Sequence, residues 1–486
     1  MLFRSLLAFY GLHRYVMIFL YYRHRKDKPV PQSHFTELPR ITIQLPLYNE
    51  KYVVNRLLET VAKLDYPADK LEIQVLDDST DDTAAIAERK VAELRQRGCN
   101  IQFIHRTNRE GFKAGALQNG LLTATGEYIA IFDADFVPQQ DLLHQTIHYF
   151  TDSKVGMLQT RWGHLNDHYS LLTRVQSIFL DGHFLIEQTA RSRSGRFFNF
   201  NGTAGIWRRS CIEDSGGWSH DTLAEDLDLS YRAQIRGWKF LFLSDVVVPA
   251  ELPVEMNAFK TQQHRWAKGS IQACKKMLPT VWRSPLSLKV KIEATAHLTS
   301  NFGYLMLVVL CLFCRAPAAA TTDQVTMGNQ WTKMMLVDLP LFLAATVSVI
   351  AFYICAQREL HDKWWKRLAY VPLMMAVGIG LSVNNARAVL EAIFNHKSEF
   401  IRTPKYGVAT GGRSAYQALR GLIPLIELGM AVYFSFLIGE AISRDEWSVL
   451  PFIIVIAGGF SYVGILSLMQ GRFTKPAPVP LAPVEA

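Results

Sequence analysis

The sequence predicts an α/β domain with a mostly parallel sheet and helices on both of its faces, followed by an α-helical transmembrane region. Three observations predict it. Between Ile41 and Phe242, short β-rich runs alternate with stretches of helical spacing. After Arg283 come five apolar segments, each long enough to cross about 30 Å of hydrocarbon at about 1.5 Å per residue. The whole chain is 49% hydrophobic and 20% charged over 486 residues, near a soluble average, so apolar and charged residues are segregated along a chain long enough for two or three structural units.

Ser5 to Tyr22 is apolar apart from His13 and Arg14, and RHRK (Arg23 to Lys26) follows it. A cleavable signal peptide has its positive charge ahead of the apolar run and small residues behind it. The reverse order here predicts an uncleaved anchor over residues 1–28, short for a span, with its C-terminal end on the cytoplasmic side. The run begins almost at Met1, which leaves room for an upstream hydrophobic stretch outside this sequence.

Residues 40–283 carry the α/β pattern. ITIQL (Ile41 to Leu45), EIQVL (Glu72 to Leu76), IQFIH (Ile101 to His105) and YIAIF (Tyr128 to Phe132) are the expected strands. Val53 to Lys63, Thr83 to Arg97 and Ala114 to Thr123 are the expected helices between them. Polar groups follow the strands: Tyr48, Asn49 and Glu50 after the first, Asp77 and Asp78 after the second, Asp133 and Asp135 after the fourth. That edge is where open α/β sheets bind ligands. No GxGxxG and no GxxxxGK[ST] occurs in the region, which removes a dinucleotide fingerprint and a P-loop.

Asp133 and Asp135, one residue apart at a strand end, can jointly face a divalent cation. Such oxygen ligands suit Mg²⁺ or Mn²⁺ held against a diphosphate; an acidic turn capping the next helix uses the same residues. The choice is the same for Asp77 and Asp78. In TLAEDLDLSYR, Asp226 and Asp228 offer either caps or a general base within reach of a hydroxyl. Leu171 to Ala190 has helical spacing and suits a bilayer interface.

The apolar segments are Ala294 to Cys314, Met334 to Cys355, Leu368 to Phe394, Gly421 to Ile442 and Val449 to Met469. If all five span, the basic loop 395–420, with Lys397, Arg402, Lys405, Arg413 and Arg420, faces outward, against the positive-inside rule. Making Leu368 to Phe394 interfacial or re-entrant, as its polar interior SVNNAR (Ser382 to Arg387) favours, removes the conflict. The expectation for 284–470 is therefore four spans, with one before the α/β domain and the C-terminus inside. The Pro-rich tail 471–486 is expected to be disordered.

The net charge of +9 is spread out or lies beside apolar runs, which points to a lipid bilayer and away from nucleic acid. Of six cysteines only Cys311 and Cys314 have metal-like spacing, and they sit in an apolar run without a second pair, as lipid-facing or packed sulfur. No disulfide framework is implied, which suits a reducing cytoplasm.

QLPLYNE (Gln44 to Glu50), LDDST (Leu76 to Thr80), FKAGAL (Phe112 to Leu117), FDADF (Phe132 to Phe136), FNGTAG (Phe200 to Gly205), AED (Ala224 to Asp226) and QQHRW (Gln262 to Trp266) occur in that order. In these motifs the chain resembles the membrane-integrated, inverting family 2 glycosyltransferases, cellulose synthase-like, and most of all the mannan and glucan synthases. The resemblance covers Ile41 to Leu278 strongly. It implies a GT-A-type, Rossmann-like nucleotide-sugar domain on the cytoplasmic side of the inner (plasma) membrane.

Carried over residue by residue, the resemblance implies that Asp77, Asp78 and Asp133 contact the nucleoside and diphosphate. Asp135, with Asp133, would hold Mg²⁺ or Mn²⁺. Lys113, Gln262 and Arg265 would bind the donor diphosphate. Asp226 would be the general base, and Trp266, with Glu225 nearby, would meet the acceptor. FIRTPK (Phe400 to Lys405) resembles the FxVTxK gating loop, with Arg402 where Val is usual, so that Thr403 and Lys405 would contact the nucleotide. Ala224 departs from the Thr that often precedes Glu-Asp. Asn201-Gly202-Thr203 is then no glycosylation site but a loop allowing close backbone approach. Phe197, Phe198 and Phe200 beside it fit either core or an acceptor channel wall.

The expected reaction transfers a hexose from UDP-glucose or GDP-mannose to a growing β-linked polysaccharide, processively and with membrane translocation. The alternative is a ceramide glucosyltransferase-type enzyme adding one sugar to a lipid acceptor. Donor choice, linkage and partner subunits are not legible in these residues.

Overall fold

The computed structural model describes residues 2–313, 335–336, 339–396, 402–405, 407 and 422–473. The expected tail beyond Phe473, Cys314, Met334, and most of the loop 395–420, including Lys397, Phe400, Arg413 and Arg420, lie outside the described residues.

The chain runs α1 (Leu2–His24), β1 (Ile41–Leu47), α2 (Val54–Val61), β2 (Leu71–Asp77), α3 (Thr83–Gln96), β3 (Ile101–His105), α4 (Phe112–Thr123), β4 (Tyr128–Ile131) and α5 (Leu142–Ile147). It continues through β5 (Val155–His164), α6 (Leu171–Asp181), a π-helical turn (Gly182–Gln188), α7 (Thr189–Arg193), β6 (Gly205–Arg208), α8 (Arg209–Asp214), α9 (Glu225–Ile235), β7 (Lys239–Ala250) and α10 (Met256–Arg283). The four expected strands are present. β5, β6 and β7 extend the sheet beyond them, and β6 is antiparallel to both of its neighbours.

The strand order is β3-β2-β1-β4-β6-β5-β7. Successive side chains alternate between its faces. On β4, Tyr128 and Ala130 join a core with Ile41, Ile43 and Leu45 of β1 and Leu57 and Leu58 of α2. Ile129 and Ile131 join the opposite core, with Leu117 and Leu121 of α4 and Trp207 of β6. Burial on both faces explains why these strands read as near-continuous apolar runs. From β1 the chain winds outward to β2 and β3, then returns to place β4 on the other side of β1. The order reverses between β1 and β4, so their C-terminal ends open onto a crevice.

Phe198 and Phe200 are fully buried in the second core, which decides for core packing over a channel wall. α6 begins at a reciprocal capping box between Ser170 and Thr173. Where α6 passes into the π turn, Gly182 allows the close approach of the long apolar helix that carries Phe352 and Tyr353: a Cβ there would lie 2.7 Å from ring carbons of both.

Among the described residues, three helices are long and apolar enough to cross a membrane: Leu339–Leu360, Ile423–Ser443 and Leu450–Met469. The count rises to five if two bent pairs each form one span, Leu288–Thr299 with Phe302–Leu312 (55°) and Trp364–Gly380 with Ser382–Ile393 (40°). The second bend falls at the polar segment expected to be re-entrant. α1 has 23 residues but is not among these helices by composition. α10 is held to this region by two buried lysines. Lys260 pairs with Glu427 at 2.7 Å, and Lys268 with Glu391 at 3.0 Å.

Candidate active site

The crevice beyond β1 and β4 is a cavity whose wall includes Tyr48, Glu50, Asp78, Arg109, Lys113, Asp133, Asp135, Glu225, Asp226, Gln262, Arg265, Trp266, Thr403 and Lys405. Residues from more than 350 positions of chain meet here because the strand ends, the first turn of α9 and one face of α10 converge on it. Gln262, Arg265 and Trp266 are spaced by three and four residues and so share a helix face.

Each acidic strand end has a cationic companion. Lys113 Nζ lies 2.6 Å from Asp133 Oδ1 and also donates to the Gly202 carbonyl at 2.9 Å. Lys405 pairs with Asp135, and Arg402 lies 2.8 Å from Glu50 Oε2. Arg106 grips Asp78 through two bonds, Nε to Oδ1 at 2.8 Å and Nη2 to Oδ2 at 2.5 Å. Arg109 stacks its guanidinium over the Tyr48 ring, 3.2 Å from the centroid. These cations form a rim suited to a polyanion, with an aromatic surface at one end.

Asp226 lies in the first turn of α9, where one carboxylate oxygen accepts from the Leu227 amide at 2.8 Å. Its other oxygen faces Gly202, where a Cβ would come within 3.0 Å of it; Gly202 also has φ +83°, so glycine fits on both counts. Burial raises the Asp226 carboxyl to about 7 and the neighbouring Glu225 adds to the rise, against the pull of Lys113. A carboxylate with affinity near neutrality is matched to proton abstraction. Burial likewise lifts Glu50 to about 7, opposed by Lys405 and Arg402. Burial pushes the Arg265 guanidinium down, while Glu225, Asp133, Asp226 and Glu50 oppose this; it remains a cation among four carboxylates.

Asp133 and Asp135 fit a divalent cation by their chemistry. They are hard oxygen donors on one edge. Burial raises the Asp135 carboxyl, with the nearby Asp133 adding to the rise and Lys405 opposing it. Burial would raise Asp133 too, but Lys113 and Lys405 outweigh it and hold that group below the usual carboxylate range. Among the described residues no ready-made group of three or more His, Cys, Asp and Glu side chains exists for a metal. Two protein carboxylates, with other positions left to water and a bound diphosphate, is the arrangement expected of Mg²⁺ or Mn²⁺ in such sites.

Of the residues expected from sequence, Asp228 is not brought to the cavity wall, being fully buried and bonded to Arg232 Nε at 2.8 Å, and neither is Asp77. Asp77 is fully buried and bonded to His105 Nδ1 at 2.7 Å. Side chains at adjacent strand positions point to opposite faces, so of the Asp77-Asp78 pair only Asp78 reaches the crevice. Sequence reasoning missed Arg106, Arg109 and the contact of Arg402 with Glu50. The basic cluster HRTNRE (His105 to Glu110) between β3 and α4 was the available signal for the first two.

A model of the glycosyltransferase-like family 2 matches residues 39–269. Glucomannan 4-β-mannosyltransferase 1 of Cyamopsis tetragonoloba is 34% identical over 394 residues, covering 77% of this chain and 70% of that protein. The chain belongs to glycosyltransferase family 2. This glycosyltransferase is also 36% identical to glucomannan 4-β-mannosyltransferase 7 of Arabidopsis thaliana over 66% of its own length and 60% of the relative's. Glucomannan 4-β-mannosyltransferase 1 of Oryza sativa subsp. japonica is 42% identical over 58% and 55%. The glycosyltransferase thus spans 60%, 70% and 55% of these three relatives. A mannosyltransferase from Pyrobaculum calidifontis, solved with GDP-Man and Mn²⁺, shares its GT-A fold with a TM-score of 0.51 and 24% identity, over 74% of this chain and 99% of that one.

Proposed function

We propose that this glycosyltransferase moves a hexose, with inversion, from a nucleotide sugar to the end of a growing β-linked polysaccharide at the cytoplasmic face of the membrane. The single observation that carries the reading is one cavity in which Asp226, the diphosphate-type cations Lys113 and Arg265, the carboxylate pair Asp133 and Asp135, and the half-exposed Trp266 all meet. The names of its relatives favour GDP-mannose over UDP-glucose as donor.

In this reading Asp78 and the Tyr48–Arg109 stack take the nucleoside, and Lys113, Arg265 and Lys405 face the diphosphate. Asp133 and Asp135 would hold Mg²⁺ or Mn²⁺, which when bound supplies positive charge to the leaving diphosphate. Trp266 presents the acceptor sugar to the donor. Asp226 takes the proton of its hydroxyl as that oxygen attacks the anomeric carbon, and the bond to the diphosphate oxygen breaks on the far side. One in-line displacement turns an α-linked donor into a β-linked product, with no covalent enzyme intermediate. Arg265, held charged among carboxylates, is positioned to offset charge developing on the leaving group. The membrane helices immediately after α10 give the polymer a route across the bilayer.

The full chain in lipid vesicles, given radiolabelled GDP-mannose or UDP-glucose, is expected to form a polymer that β-mannanase degrades. A product that extracts into organic solvent and never lengthens would replace the polysaccharide acceptor with a lipid. Trp266→Ala is expected to raise the acceptor KM about tenfold, about 1.4 kcal/mol of contact, with the nucleotide affinity nearly unchanged. Equal losses in both measurements would remove the platform role.

A further inference from the structure

The π-helical turn Gly182–Gln188 contributes no side chain to the cavity, yet it begins a line of contacts that runs from the cavity wall to the N-terminal helix. Asn201, on the wall, donates from Nδ2 to His183 Nε2 at 2.9 Å, and His183 Nδ1 donates to Glu187 Oε2 at 3.0 Å. Arg191 donates to the same Glu187 oxygen at 3.2 Å and, through Nε, to Glu293 Oε1 at 2.9 Å. Glu293 then holds His13 Nε2 of α1 at 3.0 Å.

The middle of this line is dry. The side chains of Arg191 and Glu293 are 3% and 4% exposed, so each ion is stable there only while its partner is in place. In a regular α-helix, residues four apart drift around the axis by roughly 40° at each step. The wider turn of the π segment takes up part of that drift. His183, Glu187 and Arg191 therefore stay in bonding register over two successive four-residue steps.

The cavity end is equally constrained. Gln188 Nε2 donates to Asn201 Oδ1 at 2.6 Å, and the Asn201 amide donates to Gln159 Oε1 at 2.9 Å. The next residue is Gly202, whose carbonyl receives Lys113 and whose Cα faces Asp226. A shift of a few tenths of an ångström at Asn201 therefore reaches both the proposed base and the proposed diphosphate cation.

We propose that the contacts from His13 through Glu293, Arg191, Glu187 and His183 to Asn201 form a positioning relay that sets Gly202 against Asp226 and Lys113. The N-terminal helix α1 thereby takes part in fixing the transfer geometry. The proposal rests on the reading of Asp226 as the base. None of the relay residues between His13 and His183 touches substrate; all are positioning residues.

The test uses the full chain in vesicles and compares His13→Ala, His183→Ala, His183→Gln and the double variant His13→Ala/His183→Ala. Each alanine variant is expected to lower kcat about tenfold or more, while nucleotide affinity stays within about twofold. Gln at 183 offers Asn201 a replacement acceptor and is expected to recover most of the loss. The double variant is expected to fall no lower than the worse single one, because a break at either end disconnects the same line. Losses that multiply would overturn the relay, as would a Gln variant no better than Ala, or nucleotide affinity falling in step with kcat. Wild-type protein that transfers no sugar overturns the functional reading as well; wild-type transfer with multiplying losses overturns the relay alone.

Discussion

Asp226→Asn is expected to lower sugar transfer by about 10²–10⁴-fold while leaving nucleotide binding intact. The amide keeps the shape of the carboxylate and can still accept from the Leu227 amide, but it cannot take a proton from the acceptor hydroxyl. The same residue sets a pH dependence with a definite sign. Burial and Glu225 raise its carboxyl to about 7, and only the deprotonated form can act as base. Transfer in the wild type should therefore rise with pH, reach half its plateau near pH 7, and fall on acidification, because protonation removes the base. In Asp226→Asn the residual rate should lose that limb. Near-normal turnover in the variant, or an unchanged acidic limb, would take the base assignment away from Asp226.

Asp135→Asn is expected to abolish metal-dependent donor binding and to reduce transfer by about 10²–10³-fold. Asp135 is nearly fully buried beside Asp133, and burial raises its carboxyl against the pull of Lys405. Neutralising it removes one of the two carboxylates available to a cation and leaves Lys405 facing an amide. Titrating Mn²⁺ in the presence of nucleoside diphosphate, followed by magnetic resonance of the metal, checks this independently of turnover. Equal Mn²⁺ affinity in wild type and variant would exclude Asp135 as a ligand.

The acidic residues at the strand ends were legible because their signal is local. A β-rich run followed by Asp or Glu is visible within about ten residues, and open α/β sheets place that edge at the ligand. The same local logic located Asp78, Asp133 and Asp135; Asp226 stood out with Asp228 ahead of the amphipathic run Leu227 to Gln234, and its role as base came from the family resemblance. Local logic could not separate Asp77 from Asp78, since the two differ only in which face of β2 they leave, and pairing register decides that. In the folded chain Asp77 pairs across to His105 and is sealed, whereas Asp78 turns to the crevice and Arg106. The contacts of Arg402 with Glu50 and of Lys405 with Asp135 were equally out of reach, because they join residues hundreds of positions apart.

By itself, the sequence determined the two-part architecture, the strands β1 to β4, the order of the seven motifs and the carboxylates around which the chemistry is proposed. Periodicity and residue type act over a few neighbours, so they survive in one dimension. Tertiary structure alone decided the antiparallel β6 between β4 and β5, the pairing of Asp78, Asp133, Asp135 and Glu50 each with its own cation, and the π turn that joins Asn201 to the N-terminal helix. These depend on which distant surfaces pack together, and a buried charge takes its partner from whatever the fold brings within about 3 Å of it.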